Sequence, residues 1–259
     1  VACLNANRYL GYTDWRLPNR NELKSLINYG QGNTSIWLNG QGFSNVQAFY
    51  WSSSTIAGYP SDASYVFMPV GAASSNIKTN PVYVWPVRAG GGASADLPKT
   101  GQITCYDAAG AVIACAGTGQ DGELQKGVAW PSPRFTVDGT GLCMTDNLTG
   151  LMWVRTPDSA LRTWATALTY ANGLSICGYD DWRLPNVNEL ESLINVEQTN
   201  SAAWLNTQGF SNVQAGYWSS STYAGYPARA WDVLMFGGNM EDFGKTNTNY
   251  VWPVRGGTP

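Results

Sequence analysis

The sequence predicts an α+β fold, built twice in tandem, in which helices are segregated from an irregular antiparallel sheet. Three observations point there. The chain of 259 residues repeats itself once. Each copy holds short segments with helical spacing, and the remainder consists of brief apolar runs punctuated by Gly, Asn and Pro, the pattern of strands and turns.

The repeat is direct. Gly11-Tyr12-Thr13-Asp14-Trp15-Arg16-Leu17-Pro18-Asn19 returns as Gly178-Tyr179-Asp180-Asp181-Trp182-Arg183-Leu184-Pro185-Asn186. The register then runs unbroken to Val84-Trp85-Pro86-Val87-Arg88 and Val251-Trp252-Pro253-Val254-Arg255. The period is about 167 residues, far above the 20 to 50 of solenoids, so these are tandem domains. Differences between the copies gather at the counterparts of residues 56–82. Residues 1–89 are expected to form a first copy truncated at its N-terminus, because Val1 aligns with Leu168. Residues 90–134 are expected to lie between the domains. They open in a Gly-rich flexible linker over 89–104 and carry a local hairpin closed by Cys105 and Cys115. Residues 135–259 form the complete copy.

Within that copy, residues 134–155 show short apolar runs broken at Asp138-Gly139 and over Asn147 to Gly150, which predicts a three-stranded meander. Trp164, Ala167, Leu168, Ala171 and Leu174 recur at helical spacing. A second helix follows Pro185: Asn186 with Glu189 three residues on is a capping-box arrangement, and Leu190, Leu193 and Ile194 form its apolar stripe. Copy one repeats this with Asn19, Glu22, Leu23, Leu26 and Ile27. The rest is expected to be sheet. Val66 and Met68 match Val233 and Met235, whereas 65, 67 and 69 change, so that strand is expected to have one buried and one free face. Tyr250 to Arg255 is expected to be a terminal strand with an edge or bulge at Pro253, which has no amide to donate.

Composition narrows function. Charged residues are 13% and the net charge is −3, with no basic block to neutralise phosphates, so nucleic acid is excluded as a partner. No apolar run reaches the ~20 residues needed to span a bilayer. Histidine is absent, which removes the commonest general base and metal ligand. Twelve Trp and fourteen Tyr exceed what cores of this size need, and point to contact surfaces. Cys105 and Cys115 flank a turn and are expected to pair; Cys143 and Cys177 are placed to staple the meander to the helix exit, with Cys3 left over. Disulfides imply an extracellular setting, and reduced buried thiols are the alternative.

The motifs Asn147-Leu-Thr-Gly-Leu-Met-Trp153, Thr163-Trp164, residues 178–186, Asn188-Glu-Leu190, Tyr217-Trp-Ser-Ser-Ser221 and Val254-Arg255 together resemble the C-terminal domain family of the bacterial collagen-like adhesin Lcl. That resemblance implies a C-type-lectin-like fold and a secreted or cell-surface module for attachment or ligand display. The Arg-Leu-Pro and Glu-Leu segment also resembles formylglycine-generating enzymes. Their chemistry requires a late reactive cysteine pair, and no cysteine follows Cys177, so no catalytic residue is assigned.

Arg16/Arg183, Glu22/Glu189 and Arg88/Arg255 recur in both copies and are expected to be structural. Calcium at Asp180-Asp181 is conceivable and not favoured, since copy one has Thr13 there; no cofactor and no metal site are assigned. Leu97-Pro-Lys-Thr-Gly101 matches a sortase signal but a whole domain follows it. The segment 223–249 mixes aromatic anchors with short polar groups where the copies differ. Tyr223, Arg229, Trp231, Asp232, Phe236, Asn239, Glu241, Asp242, Phe243 and Asn249 are therefore the candidate surface for a glycan or protein ligand. The alternative is a structural subunit that polymerises by strand addition beside residues 83–88, filling the gap left by the missing meander.

Overall fold

A computed structural model describes residues 1–89 and 96–256. Residues 90–95, inside the expected flexible linker, lie outside the described residues. The chain forms two compact units, Val1–Ala129 and Trp130–Pro259.

In unit 1, α1 (Ala2–Ala6), α2 (Arg20–Lys24) and α3 (Thr34–Asn39) precede a three-stranded antiparallel sheet of β1 (Phe49–Thr55), β2 (Asp62–Phe67) and β3 (Ala72–Ile77). Helix α2 starts where the sequence places it. Asn19 Oδ1 accepts from the Glu22 amide at 2.9 Å while the Glu22 carboxylate accepts from the Asn19 amide at 2.8 Å, a closed capping box. The core gathers Leu23, Leu38, Tyr50, Val66 and Met68.

The segment expected to be a linker is part of this unit from residue 97 onward. It forms a hairpin of β4 (Cys105–Tyr106) and β5 (Val112–Ile113), then α4 (Asp121–Leu124). Gln102 closes a two-bond clasp on Thr55, accepting from its amide at 2.9 Å and donating to its carbonyl at 2.8 Å. Asp121 accepts from the Ser54 and Thr100 hydroxyls. Thr100, Gln102 and Asp121 are all buried. The linker expectation fails here because polar residues that look solvated in sequence satisfy the end of β1 in three dimensions. The buried Thr100 also puts the sortase-like motif out of reach.

In unit 2, β6 (Phe135–Val137), β7 (Cys143–Asp146) and β8 (Met152–Val154) form the predicted meander, followed by β9 (Arg162–Thr163) and α5 (Trp164–Asn172). Then come α6 (Val187–Glu191), α7 (Ser201–Thr207) and a second antiparallel sheet of β10 (Gly216–Thr222), β11 (Arg229–Leu234) and β12 (Met240–Gly244). Finally β13 (Thr248–Asn249) pairs β9, and β14 (Val254–Arg255) closes the meander into a four-stranded sheet ordered β14-β8-β7-β6. The terminal strand is shorter than expected, and Pro253 contributes only its carbonyl, to the Val154 amide at 3.3 Å. Ala167, Ala171, Leu184, Trp218, Ala230 and Val251 form one core cluster, and Trp153, Trp252 and Phe210 pack edge to face in another region of the unit.

Two expectations need correction. Two helices per copy overlooks α3 and α7, whose first turns are capped by Asn33 and Asn200. Their buried leucines, Leu38 and Leu205, are too few to show helical periodicity in so short a run. The alternation expected for the strand exists in unit 1, where Ser64 and Val66 are buried and Tyr65 and Phe67 half-buried against Phe49, but not in unit 2. There Ala230, Trp231, Asp232 and Val233 are buried in succession, because both faces of β11 are covered.

One lysine meets a ring from a different element in each unit. Lys245 lies over the Trp164 ring at 4.0 Å in unit 2. Its counterpart Lys78 lies over Tyr106 at 5.7 Å and donates to the Tyr106 and Asp107 carbonyls at 3.1 Å. The β4 hairpin thus supplies in unit 1 the ring that helix α5 supplies in unit 2.

Candidate functional site

The recurrent charges are structural. The Arg16 guanidinium grips Glu22 through two nitrogens at 2.6 and 2.5 Å, and Arg183 grips Glu189 at 2.7 and 2.5 Å, so one carboxylate serves both the helix cap and the arginine fork. Arg88 bonds Asp14 at 2.9 Å with its guanidinium 3.5 Å over Tyr12; Arg255 repeats this with Asp181 at 2.6 Å and Tyr179 at 3.5 Å. The Arg255 hydrogen bond holds the Asp181 carboxyl below the usual carboxylate range. Asp181 is therefore already committed to a protein cation.

Cys105 pairs with Cys115 and Cys143 with Cys177, and Cys3 is free and exposed. Asp138 lies beside the Cys143 and Cys177 sulfurs. Those sulfurs are spent in a disulfide and offer no thiolate to a metal.

The ten residues of the candidate surface do not form one continuous patch. In the β11 and β12 register Trp231 lies opposite Asp242, and Asp232 opposite Glu241. Because side chains alternate, Arg229, Trp231 and Asp242 share one face, and Asp232, Glu241 and Phe243 share the other. Phe236 and Asn239 lie between the two strands in sequence. Tyr223 packs on Trp231 with ring centroids 5.1 Å apart, and Arg229 is bound to Asp242 at 2.5 Å. Asn249 donates to Asp232 Oδ2 at 3.1 Å. Trp231 is 1% exposed and Asp232 5%, so neither is a surface anchor. Burial, then the nearby Glu241 charge, pushes the Asp232 carboxyl up to about 7. Arg229, Phe236, Glu241 and Phe243 are exposed. Sequence differences between copies also miss Tyr226, whose ring is 66% exposed, because its counterpart Tyr59 is the same residue and is exposed too.

A second feature lies wholly in unit 1. An apolar groove of about 600 Å³ is lined by Leu23, Leu26, Phe43, Trp85, Val87 and Val128. In unit 2 the counterparts of Phe43, Trp85 and Val87 are buried: Trp252 meets Trp153 at 5.5 Å, Phe210 meets Phe135 at 5.1 Å, and Val254 pairs with Trp153 of β8. Phe43 is 41% exposed against 3% for Phe210.

The motifs that cap α2 and α6 and close the sheets belong to a recognisable family pattern. The family model described as Lcl C-terminal domain matches residues 1–88 and again 142–255. The chain belongs to the Lcl C-terminal domain family. Both matched stretches are α+β units with irregular antiparallel sheets and several helices, so the chain is a tandem pair of Lcl modules. Comparison with curated proteins gives no match. Lcl C-terminal domains are non-catalytic modules of bacterial surface and adhesin proteins, which places this chain outside the cell or at its surface. No helix among the described residues is long and apolar enough to cross a membrane.

Proposed function

We propose that this tandem Lcl chain is an adhesin-like binding module of C-type-lectin-like architecture, and that unit 2 recognises a surface glycan or protein through the exposed part of the β11 and β12 hairpin. One observation carries the reading. Where the two copies diverge, unit 2 places the exposed aromatics Phe236 and Phe243 with Glu241 on one hairpin, and half-buried Asn239 lies among them. Rigid rings with short polar groups are the composition of recognition surfaces. The test is binding of the purified chain to immobilised extracellular glycans and matrix proteins. Phe236→Ser with Phe243→Ser abolishes binding, and circular dichroism verifies that the variant stays folded, because the Phe243 ring also packs on buried Trp218 at 5.7 Å. Trp231→Ala, by contrast, lowers stability by ~3 to 5 kcal/mol because the ring is buried. Binding that survives the Phe pair overturns the reading.

A second reading, a fibre or sheath subunit, is favoured by the unit 1 groove. Its walls are those that unit 2 covers with a Trp-bearing strand, and main-chain pairing plus a side-chain plug is how strand addition works. The occupant in this reading is a strand of the Met152–Val154 kind from a second copy.

A further inference from the structure

A cavity of about 200 Å³ opens beside β1 in unit 1, and none of its lining residues belongs to the apolar groove. Leu17, Trp51 and Ala63 form its apolar wall, and Ser53, Thr55 and Lys78 its polar one. The same residue types stand in unit 2 as Leu184, Trp218, Ala230, Ser220, Thr222 and Lys245. There the indole and the ammonium are committed. Trp218 donates to the Arg162 carbonyl at 2.9 Å, and Lys245 donates to the Thr222 hydroxyl at 2.8 Å while lying 4.0 Å over the Trp164 ring.

Unit 1 uses these groups differently. Lys78 donates to the Tyr106 and Asp107 carbonyls at 3.1 Å, which leaves one proton of its ammonium unused. Among the described residues no carboxylate pairs with it. The Trp51 indole N–H and the Ser53 and Thr55 hydroxyls make no hydrogen bond among these residues either, although Ser53 and Thr55 are buried. Burial pulls the Lys78 ammonium below the usual lysine range, against the opposing pull of Asp107 and Asp62. Neither acid lines the cavity. Asp107 is held by the Ala109 and Ala111 amides at 2.9 Å, and Asp62 accepts from the Ser61 and Ser75 hydroxyls.

We propose that this cavity binds a small carboxylate, its oxygens accepting from Lys78, Trp51, Ser53 and Thr55 and its carbon body lying against Leu17 and Ala63. A wall of unused donors around an unpaired cation calls for an anion that is purely an acceptor, and an ionised carboxylate is one. Its bonds gain strength where the walls exclude water. The cavity is smaller than the ~300 to 1,000 Å³ of sites for drug-sized ligands, so the guest is a single ring or a short chain. A free acid and a peptide C-terminus share this chemistry. The site involves neither the unit 2 hairpin nor the unit 1 groove.

The test follows the tryptophan indole N–H resonances of the isotopically labelled full chain by NMR, the Trp51 signal being the one that Trp51→Phe removes. Sodium benzoate is titrated at constant ionic strength, then benzamide as its neutral counterpart and N-acetylalanine as a peptide C-terminus. Benzoate is expected to shift the Trp51 signal saturably, and benzamide to bind at least tenfold more weakly because it forfeits the charge-assisted bonds. N-acetylalanine binding tighter than benzoate assigns the site to peptide ends, and the reverse order assigns it to free acids. Lys78→Gln, which keeps a donor for a hairpin carbonyl, weakens benzoate at least tenfold, whereas Lys245→Gln leaves it unchanged; circular dichroism verifies that both are folded. A Trp51 signal that benzoate does not move, equal affinity of the wild type for benzoate and benzamide, or a folded Lys78→Gln variant that binds as the wild type does overturns the proposal. The Phe236 and Phe243 variant still binds benzoate, so this inference and the adhesin reading fail separately.

Discussion

At the residue scale, single buried polar groups decide what attaches to what. Asp121 joins residues 97–129 to β1 by accepting from the Ser54 hydroxyl, and it also accepts from Thr100 of its own segment. Burial raises its carboxyl above the usual carboxylate range, against the opposite pull of those two hydrogen bonds. The folded protein therefore holds more protons at this site than the unfolded chain once pH exceeds ~4, and the stability contributed by Asp121 falls as pH rises through its elevated value. Asp121→Asn removes that slope. Measured by urea midpoints, the variant gains on the wild type between pH 4 and pH 7. Asp14 and Asp181, whose carboxyls are held low by arginine, slope the other way in both proteins and cancel in the difference. A gap between the two proteins that does not change with pH rules the assignment out.

At the scale of elements, the hairpin β4-β5 and helix α4 are integral to unit 1 and make contacts there that other elements make in unit 2. The exchange of Trp164 for Tyr106 under the same lysine is the clearest case. A fragment of residues 1–129 is expected to unfold in one cooperative transition, and a fragment of residues 1–96 to lose it, as seen by calorimetry. The second fragment lacks Gln102 and Asp121, so the Ser54 hydroxyl and the Thr55 amide and carbonyl lose their protein partners, at a net ~0.5 to 1.5 kcal/mol for each hydrogen bond. Equal cooperativity in both fragments contradicts that integral role.

At the scale of the whole molecule, the groove beside Phe43 and Trp85 makes association a measurable property. If a strand from another copy seats there, light scattering shows mass rising with concentration. Phe43→Asp then returns the chain to a monomer, because a charge in the groove opposes burial of an apolar strand. Stable pairing of this kind buries more than ~1,000 Å². A monomer at every concentration, with wild-type and Phe43→Asp proteins alike, removes the fibre reading and leaves surface binding.

Much of this architecture is legible in the chain itself. The period near 167 residues, the capping boxes at Asn19 and Asn186, the meander punctuated at Gly139 and Gly150, and the family pattern are local or repeated signals. They survive in sequence because each depends on residues a few positions apart. Tertiary structure alone decided the rest. Trp231 looks like a contact residue and lies in a core, because covering of both faces of β11 is settled by elements distant in the chain. Residues 97–129 look like a tether and complete a domain, because Gln102 and Asp121 find their partners on β1, dozens of positions away. Composition records what a side chain is able to do; only packing fixes which solvent, charge or hydrogen-bond partner it meets.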